Sequence, residues 1–146
     1  MNKQEILDQI NTKITDKIQY FENLIAETRA SNNDTKSSMG DKYETGREML
    51  QQQINNLQRQ LNETLNQQAV LQKITAEPSE KVQNGALVKT NMGMFYVSAS
   101  MGEFILDNQK IMTVSAESPL VKAMFGKKIA ETFTVNNIVQ NIENIW

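Results

Sequence analysis

Hydrophobic residues in the first part of the chain recur at helical spacing and occupy one face only. Steps of three or four residues separate Leu7, Ile10, Ile14, Ile18, Phe21 and Ile25. This spacing matches ~3.6 residues per turn and predicts an amphipathic helix of about seven turns. The helix is predicted to stop at Ser31–Asp34, because Ser, Asn and Asp side chains there compete for backbone hydrogen bonds.

A second hydrophobic stripe runs through a polar tract of Gln and Asn. Its members are Leu50, Ile54, Leu57, Leu61, Leu65 and Leu71, with Ile74 at the end. The first four follow the 4-3-4 steps of a coiled coil, and Pro78 is predicted to close the helix. Two such helices joined by a short turn predict an antiparallel hairpin. At ~1.5 Å per residue, arms of roughly 28 residues give a rod of about 40 Å.

After residue 78 the pattern changes to short segments with partial alternation, separated by turn residues. The predicted strands are ALVKTN, MFYVSAS, EFILDN, KIMTVSA, ETFTVN and IVQNIENIW. Asn136-Asn137 is predicted to form the turn between the last two. The fold class is therefore α+β: a two-helix coiled-coil hairpin over residues 1–77, with its tip near residues 31–44, then a small antiparallel sheet with one helix over residues 78–146.

The one helix of the second half lies in SPLVKAMFG. Ser118 is predicted to cap it, with Pro119 in the first turn and Gly126 at the end. Three of its apolar side chains are expected to face the sheet as core: Val121, Met124 and Phe125. Trp146 is either an interface residue or a lid on the edge of the sheet, and the sequence leaves both open.

Composition excludes several kinds of chemistry. The chain has no Cys and no His, which rules out Cys or His nucleophiles, Cys/His zinc sites and disulfides. Any bound metal would need oxygen ligands, as magnesium, calcium and manganese do. The net charge of -2 argues against independent DNA binding by bulk charge. No apolar run reaches the ~20 residues of a membrane span, and the polar N-terminus lacks a signal-peptide core, so a cytoplasmic protein is expected.

The segment TVSAESPLVKAMFGKKIAETFTV, following a long hairpin, resembles the bacterial Gre transcript-cleavage factors. Ser118, Pro119, Gly126 and Lys127 stand in the order of that family's strand, Ser-Pro helix and Gly-Lys end. The resemblance covers nearly the whole chain, although the N-terminal helix matches by pattern alone. It implies an FKBP-like C-terminal unit that docks on RNA polymerase at the mouth of the secondary channel.

The resemblance also implies a mechanism. Gre factors insert the hairpin through the secondary channel, where tip carboxylates help hold the second Mg²⁺ of the polymerase active site. That metal activates a water which cuts the 3′ end of backtracked RNA. A chain that works in this way needs no cofactor of its own, holds no metal when free, and is not itself an enzyme, because the polymerase performs the hydrolysis.

The tip segment SSMGDKYETGREM can be aligned with the family in two ways. Without a gap, Gly40, Asp41 and Glu44 match the family's Gly-Asp and later acid. With a four-residue deletion, Tyr43 matches the family's tyrosine and the second acid is lost. The resemblance thus implies Asp41 in both alignments, and Glu44 in one, as the catalytic carboxylates.

The residues around these acids allow a structural role as well. Asp41 and Glu44 can form an N-cap and capping box that start the second helix. Lys42 and Arg47 lie beside the acids and either partly neutralise them or contact RNA phosphate. Tyr43 either packs on the turn or stacks on a base. Lys42, Tyr43 and Arg47 are therefore possible tip contacts.

The resemblance places a docking surface at Glu117, Ser118 and Pro119, where the short helix begins. Helix-start chemistry alone accounts for Ser118 and Pro119. It does not require Glu117, although a helix N-terminus favours an acid.

Three further functions compete with transcript cleavage. A channel-binding regulator or inhibitor that does not cleave is suggested by Lys42 and Arg47 beside the acids. A coiled-coil scaffold or oligomerisation module is suggested by the Gln/Asn-rich second helix. A peptidyl-prolyl isomerase is disfavoured, because the aromatic residues are scattered over elements that also need a core.

Overall fold

The computed structural model describes the backbone of residues 1–38 and 44–146, and the side chains of residues 1–31 and 46–146. The helices α1 (Lys3–Ser38) and α2 (Glu44–Gln72) come first. The remaining elements are β1 (Leu87–Thr90), β2 (Gly93–Ser98), β3 (Gly102–Leu106), β4 (Gln109–Ser115), α3 (Pro119–Met124), β5 (Thr132–Val135) and β6 (Ile138–Ile145). This order confirms the α+β class, with two long helices followed by six strands and one short helix.

The chain divides into two compact units. One is helical and spans Thr12–Gln68, and the other combines Met1–Asn11 with Ala69–Trp146. The first turns of α1 and the last turn of α2 group with the sheet in this division. The domain boundaries themselves stay a prediction.

The helical unit is held together by one apolar seam. Phe21 and Ile25 of α1 form a cluster with residues of α2, all 5–7% exposed: Ile54, Leu57 and Leu61. Because α1 and α2 are joined by a few residues only, this contact requires the helices to run antiparallel, which confirms the predicted hairpin. No helix in the described part of the chain is long and apolar enough to cross a membrane.

Both long helices end at other places than the sequence predicts. α1 continues through Ser31–Asp34 to Ser38, since single Ser, Asn and Asp residues lower helix propensity by only ~0.5 kcal/mol each. α2 ends at Gln72, several residues before Pro78. The N–H groups of Lys73 and Ile74 bond to carbonyls three residues back, at 3.2 and 3.1 Å, so a tightened last turn ends this helix, and Pro78 does not.

The sheet is mixed, and the prediction of an antiparallel sheet was wrong at one pair of strands. The strand order is β3-β4-β2-β1-β6-β5, and β2 pairs with β4 in parallel, from Met94 opposite Ile111 to Ser98 opposite Ser115. β2 and β3 are consecutive in the chain, yet β4 lies between them. The alternation of apolar and polar residues along a strand predicts which face is buried. It does not predict which strand will be the neighbour, because that depends on tertiary structure.

Buried Thr113 of β4 holds the short connection between β2 and β3, which passes the end of β4. Thr113 Oγ1 accepts a hydrogen bond from the N–H of Met101 at 2.8 Å and donates one to the carbonyl of Gly102 at 2.7 Å. Gly102 has a φ of 86°, a conformation that glycine adopts without a Cβ clash. The Thr113 hydroxyl thus fixes the backbone at the start of β3, where the connection from β2 ends.

Two of the two-residue hairpin turns of the sheet have both residues in the left-handed conformation. Asp107-Asn108 joins β3 to β4 and Asn136-Asn137 joins β5 to β6, with all four φ values between 52° and 63°. Asn and Asp tolerate this left-handed conformation best among non-glycine residues, and it suits the twist of a hairpin. The predicted turn at Asn136-Asn137 is confirmed.

α3 packs on one face of the sheet. Val121 and Met124 are fully buried in a core that also contains Val82, Ala86, Val88, Val97, Val114, Phe133, Ile142 and Ile145. The prediction for Phe125 was wrong, because this side chain is 53% exposed. Its backbone leaves the helix at φ -58°, ψ 131°, and Gly126 follows at φ 81°, which ends the helix as predicted.

Candidate functional site

The predicted tip residues fall at or next to the undescribed part of the chain. Asp41, Lys42 and Tyr43 lie outside the described residues. Glu44 is the first residue of α2, and its side chain is also outside what the structure describes, whereas Arg47 lies in the following turn and is half-buried. The joint action of Asp41 and Glu44 stays a prediction.

The turns of α1 that lead to the tip are polar. The seam stops at Ile25 of α1 and Ile54 of α2, and beyond Ile25 the helix reads AETRASNNDTKSS, without a large apolar residue. At the start of α2, Met49 is 66% exposed. A partner at this end would therefore meet charges and hydrogen-bonding groups on α1, and on α2 also the exposed side chain of Met49.

The described residues contain no group of three or more Asp, Glu, His or Cys that could hold a metal ion. Mg²⁺ retains several waters and is commonly bound through one or two carboxylates together with groups from its substrate. Carboxylates at the tip could thus act on a metal only if a partner supplied the other ligands.

The start of α3 is built by Ser118 and Pro119. Ser118 Oγ accepts a hydrogen bond from the N–H of Val121 at 3.3 Å and donates one to the carbonyl of Ser115 at 2.8 Å. Pro119 occupies the first helical position, where no N–H is needed. Because its single proton is already donated, the Ser118 hydroxyl acts as the helix cap and has no donor left for a partner.

Glu117 and Pro119 are exposed on either side of this half-buried cap. The structure therefore brings the three predicted docking residues together at one corner of the sheet unit. A partner there would contact the Glu117 carboxylate and the Pro119 ring, while Ser118 fixes the positions of both. Partner binding at this corner stays a prediction.

Trp146 extends the ladder between β6 and β1. Its N–H donates to the carbonyl of Leu87 at 2.8 Å, and its own carbonyl accepts from the N–H of Leu87 at 3.1 Å. The half-buried side chain lines two clefts of about 300 and 290 Å³. The role of Trp146, as interface residue or lid, stays open.

A buried lysine in the first turn of α1 was missed by sequence reasoning. Lys3 is 4% exposed, and its ammonium donates to the carbonyls of Glu77 at 2.6 Å and Trp146 at 2.9 Å and to Ser79 Oγ at 3.3 Å. Burial lowers the pKa of Lys3 from its usual value of 10.5. One signal was available, since Lys3 lies three residues before Ile6, on the apolar face of the helix.

Lys3 joins three segments that are far apart in the chain. The start of α1, the segment after α2 and the end of β6 all meet at its ammonium group, which uses its three donors. We call this arrangement the lysine clasp. It is a structural feature of the sheet unit, because every group that it connects belongs to that unit.

Comparison with known proteins finds distant similarity to several solved structures, among them three of Gfh1. No protein-family model matches the chain, and no curated protein matches it. The crystal structure of GreA factor homolog 1 (Gfh1) of Thermus thermophilus is 14% identical, with a TM-score of 0.39, and the match covers 93% of this chain and 94% of that one.

The other two structures are similarly distant. A structure of the transcription factor Gfh1 is 13% identical at a TM-score of 0.38, covering 91% of this chain and 89% of that one. Thermus aquaticus Gfh1 is 15% identical at 0.37, covering 92% of both. Likenesses this weak transfer no function, and the proposal below depends on the chain's own residues.

Proposed function

We propose that this chain is a regulator of RNA polymerase that inserts its helical hairpin into the secondary channel and promotes cleavage of backtracked RNA. One observation carries the proposal: the hairpin closes its apolar seam within itself, while the turns of α1 beyond Ile25 contain no large apolar residue and lead to a tip that carries Asp41 and Glu44. Such an element needs no apolar partner for its stability, so its end is available to contact charged groups.

The chemistry at the tip would be completed by the polymerase. Asp41 and Glu44 would supply carboxylate oxygens to a second Mg²⁺, whose remaining ligands come from the polymerase, the RNA and water. Two metal ions a few ångströms apart stabilise both the attacking and the leaving oxygen of a phosphoryl displacement. The chain would position these oxygens, and the nascent RNA 3′ end would be reached only through the polymerase.

The corner at Glu117 and Pro119 would contact the rim of the channel. Two features support this assignment: the Ser-Pro segment resembles that of the Gre factors, and both side chains are exposed. Docking there would hold the chain at the polymerase, so that binding energy from a remote surface supports the action of the tip.

The direct test is RNA cleavage in stalled, backtracked polymerase complexes. We expect the wild-type chain to release short 3′ fragments and Asp41→Asn/Glu44→Gln to lose this activity while still binding polymerase. The matched control Glu22→Gln/Glu63→Gln removes the same charge from exposed positions of α1 and α2 and should cleave normally. Full activity in the tip variant would refute the assigned carboxylates.

A second candidate function is channel binding without cleavage. It is favoured by Lys42 and Arg47, which bring two positive charges next to the acids and would weaken metal recruitment. Polymerase binding with no fragment release from the wild-type chain would select this function. An absence of polymerase binding, together with a concentration-dependent mass in light scattering, would select the coiled-coil scaffold instead.

A further inference from the structure

The chain contains one Asn-Gly pair, and the structure places it in a tight turn that leads into β1. Asn84 and Gly85 are the central residues of this turn, which is closed by a hydrogen bond of 3.0 Å from the N–H of Ala86 to the carbonyl of Gln83. Gly85 has a φ of 87°, whereas the φ of Asn84 is negative. These signs identify a type II turn, which requires a positive φ at its second central residue.

The position of Gly85 disfavours any side chain. A Cβ atom there would lie 3.2 Å from Ile74 Cγ2 and 3.3 Å from the carbonyl oxygen of Thr75. The positive φ adds backbone strain for residues other than glycine. The fold therefore requires a glycine directly after Asn84.

An asparagine followed by glycine is chemically labile. The backbone nitrogen of Gly85 attacks Cγ of Asn84 and forms a cyclic succinimide, while the bond from Cγ to Nδ2 breaks and ammonia leaves with the proton of the attacking nitrogen. Water then opens the ring at either carbonyl and leaves aspartate or isoaspartate at position 84. Glycine favours this reaction because no side chain hinders its nitrogen, and Asn84 is exposed to the water that the second step consumes.

The folded turn restrains the attacking nitrogen. The N–H of Gly85 donates to the carbonyl of Val97 in β2 at 2.8 Å, and the N–H of Val97 donates to the carbonyl of Ala86 at 2.9 Å. Gly85 is buried although Asn84 is exposed. Ring closure requires the Gly85 nitrogen to turn toward Asn84 Cγ and to give up its proton, so the reaction must first break the bond to Val97 in a place where that bond has no replacement.

We propose that Asn84 is a site of spontaneous deamidation that the folded turn protects and that opening of the turn makes reactive. Isoaspartate lengthens the backbone of the turn by one carbon, which displaces Gly85 and Ala86 from the carbonyls that they bond in the folded chain. The product is therefore a lasting chemical record that the start of β1 has been open. This site is independent of the function proposed for the hairpin.

Peptide mass spectrometry of the full chain, incubated at mildly alkaline pH, tests the proposal. We expect Asn84 to deamidate at least about tenfold faster in guanidinium chloride than in the folded chain, because the folded turn reacts only while it is open. Labelling with an isoaspartate-specific methyltransferase identifies the product. Asn108 is exposed and is followed by Gln109, so it serves as the internal control and should react much more slowly than Asn84 in denaturant.

A variant that loosens the turn tests the role of the structure. Ile74 is 8% exposed and lies against Gly85, so Ile74→Ala should accelerate deamidation of Asn84 in the folded chain at least about threefold. Ile138→Ala, at a position 47% exposed, removes the same atoms and should leave the rate unchanged, and circular dichroism shows that both variants are folded.

Three results would overturn the proposal. Equal rates at Asn84 in folded and denatured wild-type chain would show that the turn gives no protection, whatever the variants do. A rate for folded Ile74→Ala no higher than that of Ile138→Ala would show that packing at Gly85 does not control the reaction. Asn84 reacting no faster than Asn108 in denaturant would exclude it as a labile site.

Discussion

Replacing Lys3 by Met tests the lysine clasp. The substitution keeps a long apolar stem of similar size but removes the ammonium and its three hydrogen bonds. The carbonyl of Trp146 keeps its hydrogen bond from Leu87, and Ser79 Oγ keeps one from Gln83 Nε2 at 3.4 Å, whereas the carbonyl of Glu77 loses the bond from Lys3. The variant therefore isolates the contribution of one buried cation to the sheet unit.

The magnitude follows from the acceptors that lose this partner. An abandoned buried acceptor costs about 1–3 kcal/mol, and the desolvation of the ammonium, which lowers the pKa of Lys3, offsets part of what the bonds contribute. We expect the free energy of unfolding to fall by about 1–2 kcal/mol. For a chain of this size, that corresponds to a drop of roughly 3–7 °C in the unfolding temperature.

The measurement is urea denaturation at pH 7, comparing the midpoint and slope of wild type, Lys3→Met and Lys89→Met. Lys89 is an exposed lysine of β1, and its replacement should change the free energy of unfolding by less than about 0.5 kcal/mol. If Lys3→Met equals or exceeds the wild type in stability, the clasp contributes nothing and its structural role is refuted.

The lowered pKa of Lys3 also gives a pH signature. Between the folded-state pKa and the ordinary value of 10.5, the folded chain binds fewer protons than the unfolded chain. The Lys3 contribution to the free energy of unfolding therefore rises with pH through this window. Lys3→Met should lose this contribution, so its deficit relative to the wild type should grow as the pH approaches 10.5.

Three further changes probe the fold. Leu57→Ala should destabilise the hairpin by about 2–5 kcal/mol in thermal unfolding, whereas Leu65→Ala, at a position 40% exposed, should cost much less; equal losses would contradict the seam. Thr113→Val should lower the free energy of unfolding, measured in urea, by about 1–3 kcal/mol. A change no larger than that of the exposed control Thr134→Val would show that the hydrogen bonds of Thr113 Oγ1 do not stabilise the fold. Burial raises the pKa of Tyr96 from 10.0 to about 12, so the unfolded chain loses this proton first and the free energy of unfolding should fall between pH 10 and 12, by at most about 3 kcal/mol. Tyr96→Phe should abolish that fall in a pH titration of stability, and an unchanged fall would exclude Tyr96 as its source.

Much of the candidate site could be located from the sequence, because its signals are local. Ser118, Pro119 and Gly126 identify a capped helix through residue chemistry that acts within one or two turns, and the structure confirms these boundaries. The exposure of Phe125 could not be found in this way. Apolar spacing alone does not show that the backbone leaves the helix one residue too early for Phe125 to reach the core.

The sequence by itself determined the two long helices, the six strands and the helical seam, because periodicities of 3.6 and 2 follow directly from backbone geometry. The tertiary structure decided which strands are neighbours, and it alone placed β4 between β2 and β3. It also decided the lysine clasp. This cluster depends on groups from separate segments meeting in a buried place, where a polar atom must find a partner that no local pattern specifies.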